Sequence, residues 1–359
     1  MNWLELFVGA LLGWGVPKAF SSSAEALRTA RLRRRFKSVN RVLVQGQTLL
    51  GRLELVQLGW RDGVFDEDDI LITLDGEYSL PEDIRLKVLE PSRASWEAQG
   101  FKDSIQCGIK SIHVVRTTDD VLRSGPAHEV AITAHSYSFF EMKATNLEWF
   151  EEGQPELLRA YAQDARHDSH ADMFPTPLSV GLSVFCEEGR FLVLTRRTAT
   201  LAQGGHLNAG QYCNAVGENC APADAQGESQ GKPRLSIFRT ATRGLLEEMG
   251  LELRQVEQAV PTLHSLAWDP GILDYKFFGY VSCALAQEEI RSLWRRASDK
   301  SENRELEFVD VHDSKAAARL VTQMSEAVDQ WSDEARFGTI MSLVSIGRLS
   351  MEEFARAAG

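Results

Sequence analysis

Residues 237–251 read Ile237-Phe238-Arg239-Thr240-Ala241-Thr242-Arg243-Gly244-Leu245-Leu246-Glu247-Glu248-Met249-Gly250-Leu251. The apolar residues of this segment recur every three or four positions, which predicts a helix with one buried face and a stop at Gly250. The other face presents Arg243 and Glu247 four residues apart, with Glu248 next to them. These carboxylates gather at a helix end whose dipole disfavours negative charge, so a bound divalent cation would relieve the conflict.

Strand-like runs on both sides of this helix predict a mixed α/β domain. Residues 178–185 and 191–195 precede the helix, and residues 187–190, Glu-Glu-Gly-Arg, separate them with a sequence typical of a hairpin turn. Residues 273–281 follow the helix and are also strand-like. We therefore expect a folded domain over residues 175–312.

The helix resembles the Nudix box, whose core reads Arg-Glu-apolar-x-Glu-Glu-x-Gly-apolar. Six residues match this core in register: Arg243, Leu245, Glu247, Glu248, Gly250 and Leu251. The hairpin before the helix agrees with the same family, as does the segment 214–218, where the opening glycine of the box is expected. The resemblance covers residues 175–312 and implies an α/β/α sandwich there.

The resemblance also implies a chemistry. In the Nudix family, the carboxylates of the box hold Mg²⁺ or Mn²⁺, which bridges diphosphate oxygens and helps to activate water for attack at phosphorus. Hard cations need several oxygen ligands, so the carboxylates must project together from one helix. By this resemblance Glu247 and Glu248 would be metal ligands with Glu218 as an added ligand, and Arg243 would orient a glutamate.

Two departures from the box leave two functions open. Gly244 stands where the family has a glutamate directly after the arginine, and Leu235 stands where it has an earlier one. A polar insertion at 219–232 also changes the usual spacing. The first function is hydrolysis of a diphosphate linkage in a nucleotide derivative. The second is a domain that senses a nucleotide without cleaving it and signals to a membrane helix, by analogy with bacterial stress or defence effectors.

Residues outside the box are further candidates for the site. Alternation along a predicted strand places Glu305 and Glu307 on one face, where either could serve as a base or metal ligand, although a solvated strand edge explains them as well. Arg196 and Arg197 end the second hairpin strand and could contact phosphates. Trp268 could stack on a nucleobase or act as a core anchor.

The remaining chain predicts two further units. The first is a separate, mainly β module over residues 40–170, with a helix-like connection at 147–170 and strand-like runs at 42–44, 53–58, 70–74, 105–115 and 128–134. Its aromatic segment 135–140 is expected to pack in the core rather than to line a pocket. The second is a helical appendage over 313–359, where Ser350 and Glu353 form a capping-box pattern.

The N-terminus is more apolar than the rest of the chain. Residues 2–20 contain two charges, Glu5 and Lys18, and a helix of that length reaches about 28 Å, enough for a thin hydrocarbon core. Residues 21–39 follow as a basic linker, which predicts a single-pass anchor over 1–20 with the bulk of the chain on the cytoplasmic side. A soluble helix over 1–20 is the alternative.

Small residues within this helix suggest self-association. Gly9 and Gly13 stand at the GxxxG spacing that lets membrane helices approach closely. We therefore expect a homo-oligomer if residues 1–20 lie in a membrane.

Composition sets limits on the function. The net charge of −12 argues against broad nucleic-acid binding, because contacts to phosphates require a basic surface. The five cysteines include no CxxC pair, which indicates reduced thiols and argues against a zinc site. The length of 359 residues predicts more than one folded core.

Overall fold

The computed structural model of the chain describes residues 53–59, 63–114, 128–146, 175–198, 210–252, 260–269, 273–299 and 303–358. Several predicted features lie outside these residues: the anchor 1–20 with Gly9 and Gly13, the basic linker 21–39, the run 42–44 and the connection 147–170. Within the described ranges, no helix is long and apolar enough to cross a membrane.

In the described part of the chain, thirteen strands join into one mixed β-sheet. They are β1 (Glu54–Leu58), β2 (Ile70–Glu77), β3 (Ile105–Val114), β4 (Val130–Ser138), β5 (Thr176–Cys186), β6 (Phe191–Arg197), β7 (Tyr212–Cys213), β8 (Val216–Asn219), β9 (Ala225–Ser229), β10 (Lys232–Leu235), β11 (Thr262–Asp269), β12 (Asp274–Ser282) and β13 (Asn303–Asp310). The predicted strands at 53–58, 70–74, 105–115, 128–134, 178–185, 191–195 and 273–281 are thereby confirmed to within a few residues.

Strand β5 lies at the centre of the part of the sheet that carries the candidate site. It pairs in parallel with β12 and antiparallel with β6 and β8, and all of its residues are buried. Large apolar residues alternate along β5 with small ones, Ser179, Gly181 and Ser183, and both sets are buried because both faces of the strand are covered. The predicted hairpin turn is confirmed, because Glu187, Glu188 and Gly189 adopt the positive φ angles that reverse the chain between β5 and β6.

The strands before residue 175 continue the same sheet. Strand β3 pairs with β5 through Gly108↔Pro177 and Ile109↔Thr176, β1 pairs with β11, and β2 pairs with β10. One hydrophobic core contains Ile72 of β2 together with Val180 of β5. The two predicted units on either side of residue 175 are therefore hydrogen-bonded to each other and share a core.

Eight α-helices lie in the described ranges. They are α1 (Glu82–Ile84), which continues through a π-helical turn (Arg85–Leu89) into α2 (Glu90–Ala98), α3 (Phe139–Asn146), α4 (Ile237–Met249), α5 (Gln287–Trp294), α6 (Ser314–Glu326), α7 (Asp333–Ser345) and α8 (Met351–Ala358). The sequence predicts α4 and the C-terminal helices α6 and α8, whereas α1, α2, α3, α5 and α7 are additional.

Helices cover both faces of the sheet around β5. Leu245 of α4 packs with Val180 on one face, whereas Phe337 of α7 packs with Phe185 and Phe278 on the other. The aromatic segment 135–140 is buried against α2, as expected from packing. The layers place α4 and its charged side chains on one side of β5 and the C-terminal helices on the opposite side.

A buried histidine links β11 to α7. His264 is fully buried, and its Nε2 and Nδ1 atoms lie 3.1 and 2.9 Å from the Oγ atoms of Ser342 and Ser265. Ser342 donates its own proton to the carbonyl of Gly279. The neutral ring therefore donates from Nε2 and accepts at Nδ1. Burial lowers the pKa of His264 from 6.5 to about 3.

This histidine is expected to make the protein less stable in acid. The unfolded chain protonates His264 below pH 6.5, whereas the folded state keeps it neutral down to about pH 3. Its contribution is thus complete above pH 6.5 and declines as the pH falls toward 3. Between pH 7 and 5 we expect wild type to lose about 2 kcal/mol more unfolding free energy than His264→Gln. Urea unfolding at both pH values measures the difference, and equal losses would contradict it.

Candidate functional site

Helix α4 is fixed at both ends. Ser236 caps its N-terminus by accepting a hydrogen bond from the backbone N of Arg239, and it donates its own hydroxyl proton to Glu67 at 2.7 Å. Gly250 ends the helix in the left-handed conformation with φ of 67°. A Cβ atom at Gly250 would lie 2.4 Å from the carbonyl oxygen of Leu293. The helix therefore presents Arg243, Glu247 and Glu248 in a defined orientation.

The guanidinium of Arg243 is the centre of a charged cluster. Among the described residues, three carboxylates contact it: Nη1 lies 2.8 Å from Glu218 and 3.4 Å from Glu247, and Nη2 lies 3.0 Å from Asp224. Nη2 also donates to the carbonyl of Asn219 at 2.7 Å. One arginine thus joins α4 to β8 and to the turn that follows it, and three carboxyl groups face one guanidinium.

Asp224 holds the arginine from a buried position. It is 3% exposed and accepts from Nε of Arg243 at 3.1 Å as well as from Nη2. Its Oδ2 atom also accepts from the hydroxyl of Thr240 and from the backbone N of Ala221. Asp224 lies in the polar insertion of the sequence and was not predicted, because its partners lie on another element and leave no local pattern.

The protonation of the cluster reflects its burial. Burial raises the pKa of Glu218 to about 7, although the positive charge of Arg243 acts to lower it. Burial acts to lower the pKa of Arg243, but the hydrogen bonds to Asp224 and the charge of Glu218 raise it above its usual range. The arginine therefore stays charged while one of its carboxylates is only weakly acidic.

Glu247 and Glu248 are positioned by different contacts. Glu248 is 6% exposed and accepts from the backbone N of Gly217 at 2.8 Å, which ties the end of α4 to β8. The side chain of Glu247 is 36% exposed and pairs with Arg243. Its carbonyl accepts from the backbone N of Asp299 and the hydroxyl of Ser298. Both predicted glutamates therefore lie at the same helix end, and neither side chain extends freely into solvent.

Gly244 is required by the close approach of α4 to β8. A Cβ atom at this position would lie 2.6 Å from Cγ1 of Val216 and 2.8 Å from Cβ of Glu218. The side chains of Val216 and Glu218 on β8 thus occupy the space that any side chain at position 244 would need. Glu218 instead brings its carboxylate to Arg243 from the strand. The other departure, Leu235, is 1% exposed and belongs to the core.

Glu305 and Glu307 lie on the other face of the sheet. Cross-strand partners share a face, and Glu307 pairs with Leu194, which packs in the core that contains α7. Tyr212 donates its hydroxyl proton to Glu307 at 2.7 Å, and Arg196 lies 4.0 Å from Glu305. The structure therefore brings Arg196, Glu305 and Glu307 together, but away from Glu247 and Glu248.

The remaining predicted residues have different surroundings. Nη2 of Arg197 lies 3.9 Å from where a Cβ atom of Gly217 would be, so this arginine lies beside β8. Trp268 is 3% exposed and its ring centroid lies 4.4 Å from that of Tyr275. This placement favours the core anchor for Trp268 over stacking on a nucleobase.

A second buried charged group lies on the α7 side and was not predicted. Lys276 pairs with Glu334 of α7 at 2.6 Å and with Asp274 at 3.4 Å. Asp274 also accepts from the hydroxyl of Ser179, and burial raises its pKa to about 6 despite the charge of Lys276. The strand alternation of 274 and 276 was visible in the sequence, but the partner on α7 was not.

The carboxylates of α4 and β8 offer the kind of donors that a hard cation prefers. Within the described ranges, no group of three or more His, Cys, Asp or Glu side chains is already arranged to hold a metal ion. The guanidinium of Arg243 lies between Glu218 and Glu247, so a cation would compete with it for these oxygens. The donor set itself, carboxylate oxygens in excess of positive charge, fits Mg²⁺ or Mn²⁺.

Comparisons with known proteins give little sequence similarity. No protein family model matches the chain, and no curated protein sequence matches it. The chain is similar to the crystal structure of a MutT protein from Methanosarcina mazei Go1, with 14% sequence identity and a TM-score of 0.29, over 46% of this chain and 90% of that one.

Gly244→Ala is expected to destabilise the protein by about 1–3 kcal/mol, because its Cβ atom would collide with Val216 and Glu218. Helix propensity alone predicts the opposite sign, a gain of about 1 kcal/mol. Leu246→Ala on the exposed side of the same helix is the control and should have a small effect. Chemical denaturation of the three proteins gives the answer, and a stabilised Gly244→Ala variant would contradict the close approach.

Arg243→Lys is expected to destabilise the protein by roughly 3 kcal/mol. A lysine cannot make the paired contacts to Asp224 while also reaching Glu218 and the carbonyl of Asn219, so buried acceptors lose their donors. Arg239→Lys on the same helix is the matched control, because Arg239 is exposed and bonds to one carbonyl. Thermal and urea unfolding should separate the two variants, and equal effects would argue against a central role for Arg243.

Proposed function

We propose that α4 and β8 form a Nudix-type site that holds Mg²⁺ or Mn²⁺ and hydrolyses a diphosphate linkage in a nucleotide derivative. The observation that carries the proposal is the excess of negative charge around Arg243, where Glu218, Asp224 and Glu247 face one guanidinium. A bound divalent cation would neutralise the excess negative charge. Glu218, Glu247 and Glu248 are the residues proposed to hold it.

The cation, when bound, would polarise the diphosphate and make water a better nucleophile. The chain's own groups would position it. Glu248 is held by the backbone N of Gly217, and the carbonyl of Glu247 is held by Ser298 and Asp299.

A second candidate function is nucleotide sensing without cleavage. The observation in its favour is the pairing of Glu218 and Glu247 with Arg243, together with the absence of a carboxylate at Gly244. A site that must displace an arginine to bind its cation would bind weakly and turn over slowly. In this version the bound nucleotide stabilises the domain, and the signal passes to the N-terminal segment.

We also propose that residues 1–20 hold the chain at the cytoplasmic face of a membrane. The apolar run and the basic residues that follow it support this placement. Self-association through Gly9 and Gly13 would then bring two domains together. The net charge of −12 supports a small nucleotide rather than a nucleic acid as the partner.

The proposed activity is tested with purified full-length protein, Mg²⁺ or Mn²⁺ and a panel of nucleoside triphosphates, nucleotide sugars and dinucleoside polyphosphates. We expect cleavage of at least one compound, and we expect Glu218→Gln and Glu247→Gln each to lower kcat/KM at least about tenfold. The matched control is Glu305→Gln, whose side chain lies on the other face of the sheet and should leave the rate unchanged.

The same panel separates the two candidates. If no compound is cleaved but one raises the melting temperature of wild type in the presence of Mg²⁺, and Glu247→Gln abolishes that rise, nucleotide sensing replaces hydrolysis. If no compound is cleaved or stabilises the protein, both candidates are wrong.

A further inference from the structure

Cys107 and Cys220 lie in contact although they are 113 positions apart (220 − 107) in the chain. Cys107 belongs to β3, and Cys220 directly follows β8. The backbone N of Cys107 donates to the carbonyl of Cys220 at 2.7 Å, and the Cys220 thiol is near enough to raise the pKa of the Cys107 thiol. Both residues are fully buried and free. Folding thus brings together two thiols that do not form a CxxC motif in the sequence.

The two thiols lie where β3 meets β5, which we call the junction and which consists of the pairs Gly108↔Pro177 and Ile109↔Thr176. Cys107 is next to Gly108 in the chain. Cys220 is next to Asn219, whose carbonyl accepts from Arg243. A covalent bond between these cysteines would therefore join β3 to the strand that carries Glu218.

We propose that Cys107 and Cys220 form a reversible disulfide when the protein meets a peroxide-class oxidant. One thiolate attacks the peroxide, forms a sulfenic acid and releases water or an alcohol. The second thiol attacks this sulfur, forms the S–S bond and releases water. Two sulfurs lose one electron each and the O–O bond takes up both, so the reaction balances, and a dithiol reductant reverses it.

Burial decides when this reaction occurs. The neighbouring Cys220 thiol, together with burial, raises the pKa of the Cys107 thiol above its usual range, so thiolate is scarce while the junction is closed. Both residues are fully buried in the core, so a peroxide reaches their sulfurs only when β3 separates locally from β5 and Cys220. Oxidation therefore reports opening of this junction, and the disulfide then holds it closed.

The test treats the full-length protein with increasing hydrogen peroxide, blocks the remaining thiols with N-ethylmaleimide and maps the peptides without reduction. We expect one crosslinked pair that contains Cys107 and Cys220, and a fall in the thiols of the denatured protein from five to three. In an oxidised sample that has not been treated with N-ethylmaleimide, dithiothreitol should restore all five thiols. This measurement requires no nucleotide or metal, so its result is independent of the proposed function.

Two variants complete the test. After peroxide treatment, the Cys107→Ser variant is expected to retain its four thiols. The control variant Cys213→Ser is expected to form the same crosslink as wild type. A crosslink between Cys186 and Cys283, which also adjoin across β5 and β12, would overturn the proposal. So would five intact thiols in wild type at a peroxide concentration that fully oxidises free N-acetylcysteine.

Discussion

The contact between Arg243 and Asp224 is the interaction on which the candidate site depends. Desolvation of a guanidinium is costly, and Asp224 offsets that cost by accepting from Arg243 with both carboxylate oxygens, while its Oδ2 atom also accepts from Thr240 and Ala221. With the arginine held in place, the carboxyl groups of Glu218 and Glu247 both contact its Nη1 atom. The same contact pulls β8 against α4, and this approach excludes any side chain at position 244. The glycine at position 244 and the contact of Glu218 with Arg243 therefore have the same structural cause.

Two charged groups lie on opposite faces of the sheet. Arg243, Glu218 and Glu247 lie on the α4 side, whereas Lys276, Asp274 and Glu334 lie on the α7 side. Glu305 and Glu307 alternate with Leu306 along β13, so both lie on the α7 face and neither reaches Glu247 or Glu248.

Local patterns predicted the elements whose signal is contained in a few residues. The periodicity of α4, its stop at Gly250, the hairpin turn 187–190 and the capping box of Ser350 and Glu353 all appear in the structure. Helix α7 was missed because its residues 335–343 are all buried, so it has no polar face and no period to detect. Asp224 and the two thiols of Cys107 and Cys220 were missed for another reason: their partners are brought to them by the tertiary fold.

The continuity of the sheet across residue 175 has a practical consequence for shortened chains. A protein that began near this residue would lack the strands that pair with β5, β10 and β11, and their backbone N–H and C=O groups would be left without partners. The shared core would also lose Ile72 and Ile132, so apolar side chains of the retained half would meet water. Open strand edges beside an uncovered apolar surface are templates for association between molecules. We therefore expect such a fragment to aggregate, so that ligand binding could not be measured with it.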